Sequence, residues 1–146
     1  MEERVQISEV EPNAYKAMFG LEGYLEQGVL SKSHYKLIKI RASQINGCAF
    51  CIDMHSKEAL KLGEDQERIF LLSAWWNCDS FSEEEKVILQ LTEEVTKIHE
   101  HGLSAETYKR AMEFFDAHYF SQIIMAIITI NAWNRIAIST HVPIPE

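Results

Sequence analysis

Cys48-Ala49-Phe50-Cys51-Ile52-Asp53-Met54-His55 gathers two thiols and an imidazole in one short stretch. Cysteines three apart at the opening of a helix lie close enough to join as a disulfide without much backbone movement. The free amides of a helix's first turn favour a thiolate, and thiol pKa values in such settings fall from about 8.5 to roughly 3.5–7.5. His55 follows Cys51 by four residues, so the two side chains share a helix face one turn apart. An imidazole in that place can take the thiol proton or hold the thiolate as its imidazolium partner. Cys51 is thus the better candidate for attack. A peroxide would oxidise it to a sulfenic acid, and Cys48 could condense with that to form the disulfide. The opposite assignment stays open, because Cys48 lies nearer the helix terminus.

Other chemistries compete for the same residues. A Cys-x-x-Cys pair can be half of a structural zinc site with His55 as third ligand. Zinc wants a fourth ligand, and no second Cys-x-x-Cys or spaced histidine pair supplies one, so no metal is expected. Haem attachment needs histidine directly after the second cysteine, where Ile52 stands. Two buried, inert cysteines are the remaining alternative.

The elements that must position this stretch read as helices throughout. The three prolines, Pro12, Pro143 and Pro145, leave the whole middle of the chain free of the strongest helix breaker. Tyr15, Met18, Phe19 and Leu21 predict a helix from about Asn13 to Glu26. A second is expected from Ser31 or Ser33, either a good N-cap, to Ile45. Asn46-Gly47 signals a turn, and a third helix opens near Cys48 and ends at Gly63. The stretch from Gln66 to Trp76 is almost wholly apolar beyond Ile69 and reads as core. Ser82-Glu83-Glu84-Glu85 is a capping box for a helix carrying Ile88, Leu91, Val95 and Ile98 on one stripe. Tyr108, Ala111, Met112 and Phe115 form another stripe after Ser104. The isoleucine-rich run from about Ser121 to Ser139 is too long for a strand and reads as a buried helix. The expectation is an all-α protein of six or seven helices, one domain over residues 1–146.

Bulk properties narrow the partners. A chain of 146 residues buries roughly 68–70% of the surface it exposes when unfolded, and needs no metal or disulfide staple. A net charge of −8 argues against nucleic acid or an anionic membrane as the main partner. The N-terminus has no apolar signal-like region, and the run Ile123 to Ile130 is far short of the ~20 residues of a membrane span. With three cysteines, an odd count, the cytoplasm is the expected compartment.

The string from Arg41 to His55, Arg41-Ala42-Ser43-Gln44-Ile45-Asn46-Gly47 followed by the motif above, resembles the core signature of AhpD-like alkylhydroperoxidases. These belong to the carboxymuconolactone decarboxylase superfamily. Lys57-Glu58-Ala59, Gly63-Glu64, Leu71 to Trp76 and Ile130-Asn131-Ala132-Trp133-Asn134-Arg135 fit the same pattern, and the similarity spans roughly residues 10 to 140. The resemblance implies an all-α fold, assembled into trimers or hexamers. It also implies thiol peroxidase or disulfide reductase activity towards hydroperoxides. Under it Cys51 attacks peroxide, Cys48 resolves and His55 belongs to a proton relay. A dithiol donor, lipoyl-linked in some members, recycles the disulfide, and no flavin or haem is implied. A redox sensor with little turnover and a decarboxylase-like activity are the competing functions.

Two positions depart from that pattern. The family's relay commonly includes a glutamate twelve residues before the first cysteine, where this chain has Lys36. A lysine can hold a thiolate by charge but cannot accept a proton as a carboxylate does. Phe50 stands where some members carry a histidine. Glu58 lies on one stripe with Cys51 and His55. It either replaces the missing carboxylate in part or is a solvated group beside Lys57 and Lys61.

The remaining residues carry weaker signals. Cys78 reads as structural. Trp75, Trp76 and Trp133 are core or contact residues unless they line a substrate pocket. Asn131, Asn134 and Arg135 interrupt an apolar helix and each should find a polar partner where buried. His99 and His101 suit a helix end better than a metal. The isoleucine-rich helix offers more apolar surface than a small domain easily covers, which points to homo-oligomers.

Overall fold

The computed structural model describes residues 1–146 and contains eight α-helices and no strand. In chain order these are α1 (Ile7–Val10), α2 (Pro12–Glu26), α3 (Lys32–Asn46), α4 (Ala49–Lys61), α5 (Gln66–Leu71), α6 (Glu83–Thr96), α7 (Ala105–Phe114) and α8 (Ala117–Ser139). A 3-10 helix, Leu72–Asn77, links α5 to α6. The all-α expectation holds, with more helices than foreseen. α1 is a single turn, too short for periodicity to reveal.

α3 is the hub, packed against α4, α6 and α8. Ile38, Ile88, Leu91, Ile123, Ile127 and Ile130 are wholly buried between α3, α6 and α8. Burial of each such side chain stabilises the fold by about 1.5–3 kcal/mol. A partly buried ion pair also ties α3 to α6, with Arg41 Nη2 2.8 Å from Glu93 Oε1. Trp75 Nε1 donates to the same oxygen at 2.9 Å.

The helix ends follow their capping residues. Ser31 and Ser104 cap α3 and α7 through their hydroxyls. The capping box of Ser82 and Glu85 is formed in both directions. α8 begins at Ala117 rather than near Ser121, because Asp116 accepts from the Tyr119 amide at 2.7 Å and starts the helix earlier.

Two expectations about burial need correction. The Gln66–Trp76 segment is only partly core, since Phe70 is 70% and Trp76 67% exposed. In a 3-10 helix, positions i and i+3 share a face, and this face buries Leu72 and Trp75 while turning Trp76 outward. The α6 stripe stops at Val95, because the helix ends at Thr96 and Ile98 lies beyond it, exposed. α8 is largely covered within the chain, leaving Ile128 and Ile138 among its exposed isoleucines. No helix is long and apolar enough to cross a membrane.

Candidate functional site

The turn that delivers the two cysteines is built by Gly47. Its φ of +71° is the left-handed conformation that side chains disfavour. The amide of Cys48 donates to Ser43 O at 3.0 Å and that of Gly47 to Gln44 O at 3.3 Å, so α3 ends in a Schellman motif. The chain reverses there and Cys48 becomes the N-cap of α4, its Sγ accepting from the Cys51 amide at 3.3 Å. Cys48 and Cys51 are joined as a disulfide with their Cα atoms 5.3 Å apart.

An amide network fastens this turn to α8. Asn46 Nδ2 donates to Asn131 Oδ1 and Asn134 Oδ1, both at 2.9 Å. Asn134, fully buried, donates from Nδ2 to Ser43 Oγ at 3.0 Å. Arg135 Nη1 reaches back to Asn131 Oδ1 at 2.9 Å. Each residue that interrupts the apolar helix thus has its polar partner. Asn134→Leu leaves the Asn46 and Ser43 side chains short of partners, and should cost about 1–3 kcal/mol in urea unfolding. An unchanged midpoint would show that the network carries no stability.

The two sulfurs face different spaces. Cys51 lines a cavity of about 440 Å³ together with His55, Glu58 and Glu22. The walls are apolar: Tyr15 and Phe19 from α2 pack on Trp133 from α8, with ring centroids 5.2 and 5.5 Å from it. Cys48 instead lines a neighbouring cavity of about 340 Å³ under the C-terminal tail. Both cysteines are nearly inaccessible at 1% and 2% exposure, and His55 is 7% exposed.

His55 Nδ1 stands 3.2 Å from Glu58 Oε2. A carboxylate only accepts, so Nδ1 carries the proton and Nε2 is the nitrogen left free. Burial lowers the His55 pKa below its usual range, and the charge of Lys39 adds to this, while Glu58 and Glu22 pull it upward. The imidazole is therefore neutral near pH 7. Lys57 engages Asp53 at 2.8 Å, which leaves Glu58 to the histidine. Glu58 is half exposed, so it touches both His55 and solvent.

The structure brings together Cys48, Cys51, His55 and Glu58, and leaves Lys36 outside the Cys51 cavity. From α3, Tyr35 reaches the cavity wall through its bond to Glu22, and Lys39, one turn on, holds its Nζ 4.2 Å above the Tyr35 ring; neither lines the cavity itself. Lys36 is one residue round the helix from Tyr35, which rotates it away by about 100°. The carboxylate that sequence reasoning missed is Glu22. Its Oε2 accepts from the Tyr35 hydroxyl at 2.7 Å and its Oε1 from Trp133 Nε1 at 3.0 Å. Burial and this bond to Glu22 hold the Tyr35 phenol protonated. One signal could have found Glu22: with Tyr15 and Phe19 it falls at i, i+4 and i+7, an acid on an otherwise aromatic stripe.

Other sequence candidates lie elsewhere. Trp133 lines the Cys51 cavity, whereas Trp75 and Trp76 line a polar groove near α6 and α7. Cys78 is a free thiol whose Sγ lies 3.7 Å from Trp75 O. His99 and His101 are exposed.

Comparison with known proteins agrees with this fold. Residues 12–94 match the carboxymuconolactone decarboxylase family. The chain is 43% identical over 139 residues to the uncharacterized protein YdfG of Bacillus subtilis (strain 168), covering 95% of each. A crystal structure from Agrobacterium tumefaciens, of a protein of unknown function provisionally described as the antioxidant defence protein AhpD, superposes with a TM-score of 0.96. It is 36% identical to this chain, with 99% of each covered. A debrominase, Bmp8, in complex with 2,3,4-tribromopyrrole has a TM-score of 0.82 at 17% identity, over 92% of this chain and 72% of its own. At that identity the likeness concerns the fold alone. The chain belongs to the carboxymuconolactone decarboxylase family and, within that superfamily, to its AhpD-like members.

Proposed function

We propose that this protein is a dithiol-dependent reductase of hydroperoxides, with Cys51 as the attacking thiol, Cys48 as the resolving thiol and His55 as the proton acceptor. The observation that carries this reading is the shared cavity: of the two bonded sulfurs, Cys51 lines the space that also holds the His55–Glu58 pair. In the reduced protein neutral His55 takes the Cys51 proton. The thiolate attacks one peroxide oxygen and the O–O bond breaks. Sulfur becomes a sulfenic acid, and the departing alkoxide takes the proton from His55 to leave as an alcohol. Cys48 thiolate then attacks Cys51 sulfur, the disulfide forms, and hydroxide leaves as water once protonated. A dithiol donor returns the two electrons. The capping bond from the Cys51 amide favours the thiolate of Cys48, which suits the resolving role.

Glu58 and Glu22 act on His55 in this scheme, Glu58 by holding Nδ1–H and Glu22 by its charge across the cavity. Glu58→Gln should slow disulfide formation by about ten- to a hundredfold, as for other carboxylates that orient a working histidine. The pH dependence gives the sharper test. His55 is active when neutral and its pKa is lowered, so the acid limb of the rate should fall below the ordinary histidine value of about 6.5. Glu58 raises that pKa, so Glu58→Gln should move the limb to still lower pH, and Glu22→Gln should do the same. Stopped-flow measurement of disulfide formation from pH 4.5 to 8 reads this out. A limb moving upward in either variant would remove the carboxylates from the relay.

The same scheme suits a reducing compartment, the cytoplasm, and needs no flavin, haem or metal. Self-association through exposed apolar positions such as Phe19, Ile128 and Ile138 fits the trimers or hexamers expected of the family. A disulfide that forms with peroxide but does not turn over would make the protein a redox sensor instead.

A further inference from the structure

We propose that residues 1–6 act as a strap: they hold the chain after α8 down over Cys48, and their release is the step that admits external reagents to the Cys48–Cys51 bond. Such a gate acts on any reagent that attacks sulfur, so it holds whether or not a hydroperoxide is the oxidant.

Attack on a disulfide needs an open path to one of its sulfurs. Neither cysteine offers one in the closed structure, at 1% and 2% exposure. The cover over Cys48 is the tail that follows α8. His141, Val142, Pro143 and Ile144 line the cavity beside Cys48, and Val142 also lines the one beside Cys51. The tail has few anchors of its own. The His141 amide donates to Ile138 O at 3.4 Å and the Val142 amide to Ala137 O at 3.0 Å. His141 holds a φ of +49°, in the left-handed region that side chains disfavour, so the path over Cys48 is kept against a local preference.

Three bonds from the strap keep it there. Arg4 Nη1 donates to Ser139 O at 3.0 Å and Gln6 Nε2 to Thr140 O at 2.8 Å. The third runs the other way, His141 Nδ1 donating to Glu2 O at 3.0 Å. Ser139 and Thr140 stand at the end of α8, where carbonyls run out of intrahelical amides, so Arg4 and Gln6 supply the missing donors.

The hold is polar. Met1 to Val5 are exposed, and α1, which follows the strap, has no buried residue. Lifting the strap therefore uncovers little apolar surface of its own, and water replaces each bond at small net cost. Segments held in this way open locally far more often than a packed core unfolds. The helices that carry Cys51, His55 and Glu58 stay in place when it lifts.

The test uses the full chain with its disulfide formed by diamide, and an uncharged phosphine, tris(hydroxypropyl)phosphine, as the reagent. The phosphine takes oxygen from water and becomes its oxide, while the two sulfurs gain two electrons and two protons. Intact mass reads the two added hydrogens. Gln6→Ala and Arg4→Ala should each speed reduction by about two- to tenfold, and the double variant should be faster than either. Glu3→Ala, on the same segment but at an exposed residue outside these bonds, should leave the rate unchanged. In the double variant the Val142 amide should exchange its hydrogen faster by a similar factor, with the urea midpoint nearly constant. An unchanged reduction rate in the double variant overturns the proposal. So does a faster rate matched by an equal loss of urea stability, because the whole chain and not the strap would then be opening. Reduced protein that ignores peroxide would sink the hydroperoxide reading and leave the strap standing.

Discussion

Cys51→Ser should abolish peroxide turnover, a loss of at least about a thousandfold, because a hydroxyl in that place is neither acidic nor nucleophilic enough to replace a thiolate. Cys48→Ser should behave differently. It retains the attacking thiol, so it should consume one equivalent of peroxide per chain and then stop, with a sulfenic acid on Cys51 that dimedone can trap. The asymmetry follows from placement: Cys51 lines the cavity with His55 and Glu58, while Cys48 faces the other way and caps α4. Mass spectrometry of the dimedone adduct checks it. A trapped sulfenic acid on Cys48 in the Cys51→Ser variant would reverse the assignment.

His55→Gln should slow disulfide formation by about a hundred- to ten-thousandfold, the span usual for loss of a positioned general base. The effect should be large because the histidine is nearly buried and solvent has little access to replace it. The acid limb of the pH profile should vanish with the imidazole, leaving only a rise towards the thiol's own ionisation. A rate measured at high pH, where Cys51 ionises unaided, should approach that of the unmodified protein. If the variant keeps the same acid limb, some group other than His55 governs the proton.

Much of this site was legible because it is local. Cys48, Cys51, His55 and Glu58 lie within one helix and its cap, so spacing alone puts them together. The turn was legible as well, since Asn46-Gly47 announces a reversal and the left-handed Gly47 carries it out. Glu22 was not, because it arrives from α2 through tertiary packing and is fixed by donors on α3 and α8. No spacing relation to Cys48 encodes it. The placement of Lys36 was illegible for a related reason. A motif offset marks a position along a helix but not which face that position presents, and here it is the neighbouring Tyr35 that bonds Glu22 at the cavity wall. Burial in the Gln66–Trp76 segment failed likewise, because composition alone does not distinguish an α-helix from the tighter 3-10 turn that exposes Trp76. The start of α6 was legible to the residue from its capping box, whereas its end was not, since Ile98 lies beyond Thr96.

The most direct test of the account is titration of the fully reduced protein with cumene hydroperoxide, with free thiols counted and the cross-linked peptide mapped. Loss of two thiols per equivalent of peroxide is expected, with a single Cys48–Cys51 bond, Cys78 still free, and repeated turnover once a dithiol is supplied. Unchanged thiols after a molar excess of peroxide, or oxidation confined to Cys78, would contradict it.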